Sequence, residues 1–196
     1  MKTTKFITPL LALALAIVSF SCDRQSNYLP KPRGFFRIDL PEKGYVKVDT
    51  LDKFSFECPE YAFVTNDRYS PDEKNWVNIE MPQFKGSIHL THKTVNGNLG
   101  DYLEDVHTMV TKHLQKANGV RDSLIVNEEH KVYGLFIEMD GKGVATPMQF
   151  YLTDSTRNFV RGALYFNFKP DNDSMQPVIN FIREDIDHLI ETFEWK

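Results

Sequence analysis

Two long helical patterns divide the predicted strands of this chain into two groups. Apolar residues recur at three- and four-residue steps between Leu99 and Ala117, and again between Met175 and Phe193. Asn98 and Ser174 are the predicted N-caps of the two helices. The order of strands, helix, strands, helix is typical of an α+β domain.

Nine runs alternate apolar and polar residues as strands do, five before the first helix and four after it. They span residues 45–48, 54–58, 61–64, 76–81, 87–93, 123–127, 131–139, 147–153 and 158–168. The connections have hairpin lengths, which favours antiparallel pairing. We therefore expect a single antiparallel β-sheet with two main helices packed on it. The order is comparable to that of the Mog1/PsbP-like α/β/α sandwich, an analogy of fold that gives no function.

The N-terminus has the pattern of a lipoprotein signal peptide. Two lysines precede an apolar run, residues 6–18, which is too short to span a membrane comfortably. Cys22 follows the small residue Ser21, so we predict that residues 1–21 are removed and that Cys22 is acylated, for example with palmitate. A diacylglyceryl group supplies two chains, enough for lasting membrane attachment. The alternative is a plain secreted protein with a chance cysteine, since Ser19 stands where the usual lipobox has leucine.

The rest of the chain is predicted to be a tether and one domain. Residues 22–33 would form the lipidated N-terminus and a tether that Pro30 and Pro32 stiffen. Residues 34–196 would form a single globular α+β domain, long enough to close one hydrophobic core.

Charge and cysteine content exclude several classes of protein. Without Lys2 and Lys5 the chain has 21 basic residues against 27 acidic ones, a formal net charge of −6. That balance argues against nucleic acid as a partner and against a basic patch for anionic lipid. If Cys22 is acylated, Cys58 has no disulfide partner, and its strand position predicts a buried small hydrophobe.

The histidines do not have the spacing of a metal site. His89 and His92 are three residues apart on a strand, so they should point to opposite faces. His107 and His113 are six residues apart on a helix, which also separates them. We predict no metal ligands.

Motifs for other chemistry are also missing. Gly97 and Gly100 precede a helix but lack the lysine and the frame of a phosphate-binding loop. Ser155 does not lie in a nucleophile elbow. No catalytic residue and no cofactor are predicted, although a pair of carboxylates in a cleft stays an open alternative.

One strand pair predicts a surface for a protein partner. If neighbouring strands stay in register, Tyr151, Phe159, Arg161 and Tyr165 share one face of the sheet. Tyrosine and arginine are enriched at protein–protein contacts. The alternative is that a loop, the tether or the first helix covers this face.

Five stretches of the chain have distinctive sequences. They read YLPKPRGFFRIDLP from Tyr28, KGSIHL from Lys85, QFYLTDS from Gln149, RGALYFN from Arg161 and ETFEWK from Glu191. Together they resemble the gliding-motility lipoprotein GldD family of Bacteroidota. The resemblance covers nearly the whole mature chain. The serine-rich lipobox of this chain resembles those of lipoproteins from this phylum, so Ser19 is compatible with acylation of Cys22.

The resemblance implies a cell-envelope lipoprotein needed by the gliding machinery and the linked type IX secretion system, with no known catalytic residues. The family includes members from non-gliding bacteria, so motility itself does not follow. Asp23-Arg24 is not the acidic run of surface-exported lipoproteins in that phylum, which favours the outer membrane with the domain facing the periplasm. Our first hypothesis is a non-enzymatic assembly or stabilising factor that contacts envelope proteins of this machinery. The second is an envelope enzyme or small-ligand-binding lipoprotein with a cleft between sheet and helices.

Overall fold

The fold was analysed in a computed structural model that describes residues 37–169 and 171–196. The predicted signal peptide, Cys22 and the tether lie outside these residues. In the described residues the α-helices are α1 (Leu99–Leu114) and α2 (Asn172–Glu191). The strands are β1 (Tyr45–Val48), β2 (Phe54–Pro59), β3 (Phe63–Asn66), β4 (Trp76–Met81), β5 (Gly86–Thr94), β6 (Gly119–Asn127), β7 (Val132–Asp140), β8 (Met148–Thr153), β9 (Asn158–Phe166) and β10 (Glu194–Trp195).

The described strands form two antiparallel sheets, which confirms the α+β class and corrects the prediction of a single sheet. Seven strands follow the order β3-β4-β5-β9-β8-β7-β6, and a smaller sheet has the order β1-β2-β10. β2 is not part of the large sheet. It pairs with β10 at the end of the chain, where Trp195 lies opposite Phe54. Alternation along a strand specifies which face is buried, but it does not specify the neighbouring strand.

Helix α2 and the smaller sheet pack on one face of the large sheet. The α2 residues buried there keep the predicted helical spacing, namely Val178, Ile179, Ile182, Ile186, Leu189 and Ile190. They meet Phe54 and Phe56 of β2 and the inward residues of β4, β5, β8 and β9 in one core. Each such side chain contributes roughly 1.5–3 kcal/mol when fully buried, so α2 is integral to the domain.

Helix α2 begins earlier than the spacing predicts. Asp171 holds the N-cap position, and Ser174 lies inside the first turn, where its hydroxyl donates to Asp171 at 3.2 Å. The start is held by Asn172, whose buried amide donates to the carbonyls of Gly141 and Val144. These are contacts with a distant loop, which local spacing does not contain.

Helix α1 packs on the opposite face of the large sheet. Its buried Val106 contacts Phe159 of β9, and Val110 and Ala117 flank Ile137 and Met139 of β7. The domain thus has three layers, with the seven-stranded sheet in the middle. Because α1 lies over β7, β8 and part of β9, it leaves the other half of this face uncovered.

Candidate functional site

The uncovered half of the α1 face forms an open depression lined by both polar and aromatic side chains. It has a volume of about 640 Å³ and lies between the sheet and the loop after β3. Its floor and wall include Glu80, Ser87, His89, Tyr165, Lys85 and Asp67. The mixture of both charge signs suits a polar occupant.

Antiparallel register brings the floor residues together from three strands. Glu80 of β4 pairs with Ser87 of β5, and Ser87 pairs with Tyr165 of β9. Residues between them, such as Ile88 and Leu164, point the other way into the main core. The period of two therefore places polar side chains in the depression and apolar ones beneath it.

His89 contacts two other residues of the depression, Ser87 and Tyr165. Its Nε2 lies 2.9 Å from the hydroxyl oxygen of Ser87, and its ring centroid is 4.9 Å from that of Tyr165. Burial lowers the pKa of His89, Glu80 and Asp67 oppose that shift, and Arg161 adds to it. The ring is therefore mainly uncharged at neutral pH.

The Ser87–His89 pair resembles two members of a hydrolytic triad, but in the described part of the chain no carboxylate is hydrogen-bonded to the His89 ring. The third group, which would orient the imidazole and stabilise its charged form, is missing from this arrangement. The pair can donate hydrogen bonds to a bound polar group or accept hydrogen bonds from it.

Arg161 lies at the seam between this depression and α1. Its Nη2 donates to Gln149 Oε1 at 2.6 Å, and Gln149 is held in turn by a 2.9 Å hydrogen bond to Thr146. The buried Nε of Arg161 has no hydrogen-bond partner among the described residues. On α1, burial and then the positive charges of Arg161 and Lys116 lower the pKa of the His113 ring.

The structure separates the four residues of the predicted partner surface. Phe159 is only 3% exposed and packs beneath α1, with ring-centroid distances of 5.5 Å to Tyr102 and 5.7 Å to Tyr151. Arg161 is partly buried at the seam, and Tyr165 lines the open depression. A covering by the first helix, the alternative considered for this face, is thus found over Phe159 and Tyr151. The partner-binding role of the four residues stays a prediction.

Sequence reasoning did not connect Ser87 with His89, although a signal was present. Two polar residues at i and i+2 of one strand share a face, so their contact follows from the strand prediction.

His92 lies on the opposite face as predicted. Its ring is buried, and its Nε2 is 3.0 Å from Asn158 Oδ1. Within residues 37–169 and 171–196, no three His, Cys, Asp or Glu side chains are grouped to hold a metal ion. Cys58 is buried as predicted, and burial raises the pKa of its thiol.

The sequence of this chain matches the model of a known family. The sequence model described as gliding motility lipoprotein GldD matches residues 25–195. The chain belongs to the gliding motility lipoprotein GldD family. Membership indicates a membrane-anchored envelope lipoprotein with a role in gliding motility, and it confirms the resemblance read from the sequence. The family is described by motility and lipidation and not by a catalytic activity.

No curated protein matches the sequence of this GldD-family chain. Among solved structures it is similar to cyanobacterial PsbP (CyanoP) from Synechocystis sp. PCC 6803 at 12% identity and a TM-score of 0.44. The match covers 82% of this chain and 98% of that one. Such a distant likeness implies no shared function.

None of the helices in the described part of this GldD-family chain has the length and apolarity required to cross a membrane.

Proposed function

We propose that this protein is a lipid-anchored, non-enzymatic factor that assembles or stabilises the gliding machinery and the linked type IX secretion system through protein contacts. The observation that carries the proposal is the GldD-family match over residues 25–195, which includes the segment after Cys22 as well as the folded domain. Acylated Cys22 would hold the protein at the outer membrane, and residues 23–33 would set the reach of the domain into the periplasm.

The contact surface we propose is the open half of the α1 face, with Tyr165 and Arg161 as its anchors. The Tyr165 ring packs at a tilt of 47° against the His89 ring, so part of it is already ordered before a partner binds. Tyr69, in the loop after β3, is 95% exposed at the rim of the same depression. Pre-ordered aromatic side chains and arginine supply much of the binding energy at protein interfaces.

The test is chemical crosslinking in intact envelopes, followed by gentle solubilisation and purification of the tagged lipoprotein. Wild type should recover gliding or secretion proteins, and Cys22→Ala should reduce that recovery by releasing the protein from the membrane. Tyr165→Ala and Arg161→Glu should lose the partner while keeping a cooperative unfolding transition. Recovery of the lipoprotein alone from wild-type envelopes would contradict the proposal.

Two variants on the same side of the sheet serve as matched controls. Tyr133→Ala removes a tyrosine from β7, whose hydroxyl donates to Glu128 at 2.9 Å. Lys112→Glu reverses an exposed charge on α1. Both should retain the partner. If Tyr165→Ala and Arg161→Glu both keep the partner, the proposed surface is wrong, but the proposed role as an anchored factor is not affected.

A small-ligand-binding lipoprotein or an envelope enzyme is the second candidate, and the Ser87–His89 pair in the depression is the observation that favours it. The depression lies between the sheet and a loop, and not between sheet and helices as the sequence suggested. Native mass spectrometry of the purified protein should then show a bound molecule that Ser87→Ala and His89→Ala both lose. If the spectrum shows no ligand and the crosslinked partners are still recovered, only the first candidate is supported.

A further inference from the structure

Asn78 presents an unpaired amide on the floor of the depression. The residue is only 8% exposed, yet within residues 37–169 and 171–196 its side-chain amide has no hydrogen-bond partner. The amide is not sealed from solvent, because in those ranges only Arg161 Nε and Asp171 Oδ1 are both closed to solvent and unpaired. An amide has two N–H donors and a carbonyl acceptor, and such groups are usually paired when they lie this deep. The Asn78 amide therefore calls for a partner that enters from the depression.

The strand register surrounds this amide with other polar and aromatic side chains. Asn78 lies between Thr65 of β3 and His89 of β5. The next row across the same four strands consists of Phe63, Glu80, Ser87 and Tyr165. Neighbouring strands are about 4.8 Å apart, so this row spans roughly 14 Å, and the two rows are about 7 Å apart along the strands. The floor is thus wide and shallow, with an aromatic ring at each end of one row.

The charged residues of the lining balance each other. Asp67 and Glu80 carry negative charges, and Arg68 and Lys85 carry positive ones. In the part of the chain that the structure describes, none of the four forms an ion pair. A cationic ligand would meet Arg68 and Lys85, and an anionic ligand would meet Asp67 and Glu80. The lining therefore favours a ligand that is uncharged but rich in hydrogen-bonding groups.

Recognition on this floor must come from side chains. Peptides that bind sheets commonly add a strand to an open edge. That mode is closed to β4 and β5, because each is paired with a strand on both sides. What the floor offers is planar amide and carboxylate groups beside aromatic rings. Hydroxyl groups both donate and accept, so they suit the former, and the apolar C–H faces of sugar rings suit the latter.

We propose that the depression is a binding site for an uncharged oligosaccharide. The Asn78 amide and the Glu80 carboxylate hydrogen-bond to the sugar hydroxyls. The rings of Phe63 and Tyr165 pack on the C–H faces of the sugars. Phe63 is 51% exposed, and the Tyr165 ring is already packed against His89 at a centroid distance of 4.9 Å. The volume of about 640 Å³ falls in the usual range of small-molecule sites. This site gives the second candidate its ligand and rests on that candidate, and it is independent of the assembly role.

The direct test is an NMR titration of the mature lipoprotein in a polyoxyethylene detergent, which has no sugar headgroup to compete for the site. The probes are cellotetraose, maltotetraose and N-acetylchitotetraose, which are uncharged and differ in linkage and in N-acetylation. We expect at least one of them to give saturable shifts of the Asn78 side-chain amide and of the Tyr165 ring. The absence of a saturable shift with all three would overturn the proposal.

Variants of the floor assign the binding to these side chains. Asn78→Ala should weaken binding about tenfold. Tyr165→Ala should weaken it by a similar factor, whereas Tyr165→Phe keeps the ring and should bind as wild type does. Glu80→Gln keeps the shape of the side chain, loses one acceptor and should weaken binding several-fold, which gives a second measurement if Asn78→Ala does not fold.

Asn180→Ala is the matched control for Asn78→Ala. Asn180 is an exposed asparagine of α2, on the other side of the large sheet. Its replacement should leave the titration unchanged. Wild-type affinity in cooperatively folded Asn78→Ala and Glu80→Gln would contradict the site, and so would an equal loss of binding in Asn180→Ala.

Two sources can supply the saccharide, a soluble oligosaccharide or a glycan fixed in the cell wall. Sedimentation of the lipoprotein with purified peptidoglycan, with and without the tetrasaccharide that binds, separates them. Co-sedimentation that the tetrasaccharide reverses identifies a fixed glycan, and a saturable titration without co-sedimentation identifies a soluble one.

The titration contains no partner protein, so it can fail while crosslinking in envelopes succeeds. If no tetrasaccharide binds and Asn78→Ala loses the crosslinked partner, the depression holds a protein and the saccharide proposal is wrong. If a tetrasaccharide binds and wild-type envelopes yield no crosslinked partner, the assembly role is wrong and the saccharide site remains.

Discussion

The ammonium nitrogen of Lys43 lies 2.5 Å from Oδ1 of Asp185, the only buried carboxylate among the described residues. The same carboxylate accepts hydrogen bonds from the hydroxyls of Tyr45 and Tyr61, and the Lys43 nitrogen also lies 3.5 Å from the ring centroid of Phe181. Burial, and then the hydrogen bond to Asp185, raise the pKa of both tyrosines. This network links the N-terminal part of the domain, at Lys43 and Tyr45, to Asp185 of α2.

Replacing the carboxylate should therefore destabilise the whole domain. Asp185→Ala leaves two tyrosine hydroxyls without their acceptor and the Lys43 ammonium without its buried counter-charge, and we expect a loss of about 3–5 kcal/mol in the free energy of unfolding. Glu184→Ala is the control, because Glu184 is exposed and lies 3.7 Å from the same nitrogen. It should cost less than about 1 kcal/mol. Urea unfolding measures both, and equal effects would show that burial of the ion pair is unimportant.

A turn between β8 and β9 should make stability depend on acid pH. Burial opposes the shift, but hydrogen bonds from the backbone N–H groups of Arg157, Asn158 and Thr156 bring the pKa of Asp154 down to about 2. In the unfolded chain the carboxyl titrates near pH 3.9. The stabilisation is therefore complete above about pH 5 and is lost as the pH falls through both pKa values toward about 2.

Asp154→Ala tests this dependence in pH-dependent thermal unfolding. The difference in melting temperature between wild type and variant should be largest near neutral pH and should shrink steadily below pH 4. Asp72→Ala, in an exposed loop, is the control and should show no such trend. A difference that stays constant down to pH 2 would mean that the Asp154 carboxylate does not stabilise the turn through its charge.

A close packing contact under the candidate site should make one glycine irreplaceable. A Cβ atom at Gly162 would lie 2.1 Å from the ring of Phe150, which is fully buried on the neighbouring strand. Gly162→Ala should destabilise the domain by at least about 1–3 kcal/mol, because the ring has no free space to move into. Gly100→Ala, on α1 with open space around it, should be neutral or stabilising by up to about 1 kcal/mol. Chemical denaturation compares them, and a stable Gly162→Ala would contradict the contact.

The β6 edge should control solubility more than stability. β6 ends the large sheet, and Leu124 on its α1 side is 80% exposed. A long, apolar edge strand is a template for unwanted strand pairing, and charge on such an edge opposes it. Leu124→Lys should change the free energy of unfolding by less than about 0.5 kcal/mol and reduce self-association in analytical ultracentrifugation. Ile125→Lys, one residue along and packed against the core, should destabilise the domain instead.

Much of the fold could be predicted because local pattern and buried face agree. The α2 stripe from Val178 to Ile190 and the alternation in β4 and β5 are read in the sequence and are buried in the structure. β6 was predicted too short because its N-terminal half, from Gly119 to Asp122, is largely exposed and lacks apolar alternation. β10 was missed because it consists of two residues that are strands only through pairing with β2.

The candidate site was predicted only in part. The strand pattern assigned Phe159, Arg161 and Tyr165 to one face, and they share it. Which of them α1 covers depends on where a 16-residue helix crosses the sheet, and no spacing along β9 contains that information. For the same reason the half of this face that stays uncovered could not be predicted.

By itself, the sequence determined the order of the elements and the face that each strand and helix buries, because these follow from residue types and from periods of two and 3.6. The family followed from stretches that resemble known members, and not from these periods. Only the tertiary structure decided that β5 lies between β4 and β9, that β2 joins a second sheet, and that α1 leaves a depression open over His89 and Tyr165. Periodicity fixes the direction of a side chain relative to its own element. The neighbours it meets depend on how distant parts of the chain pack together.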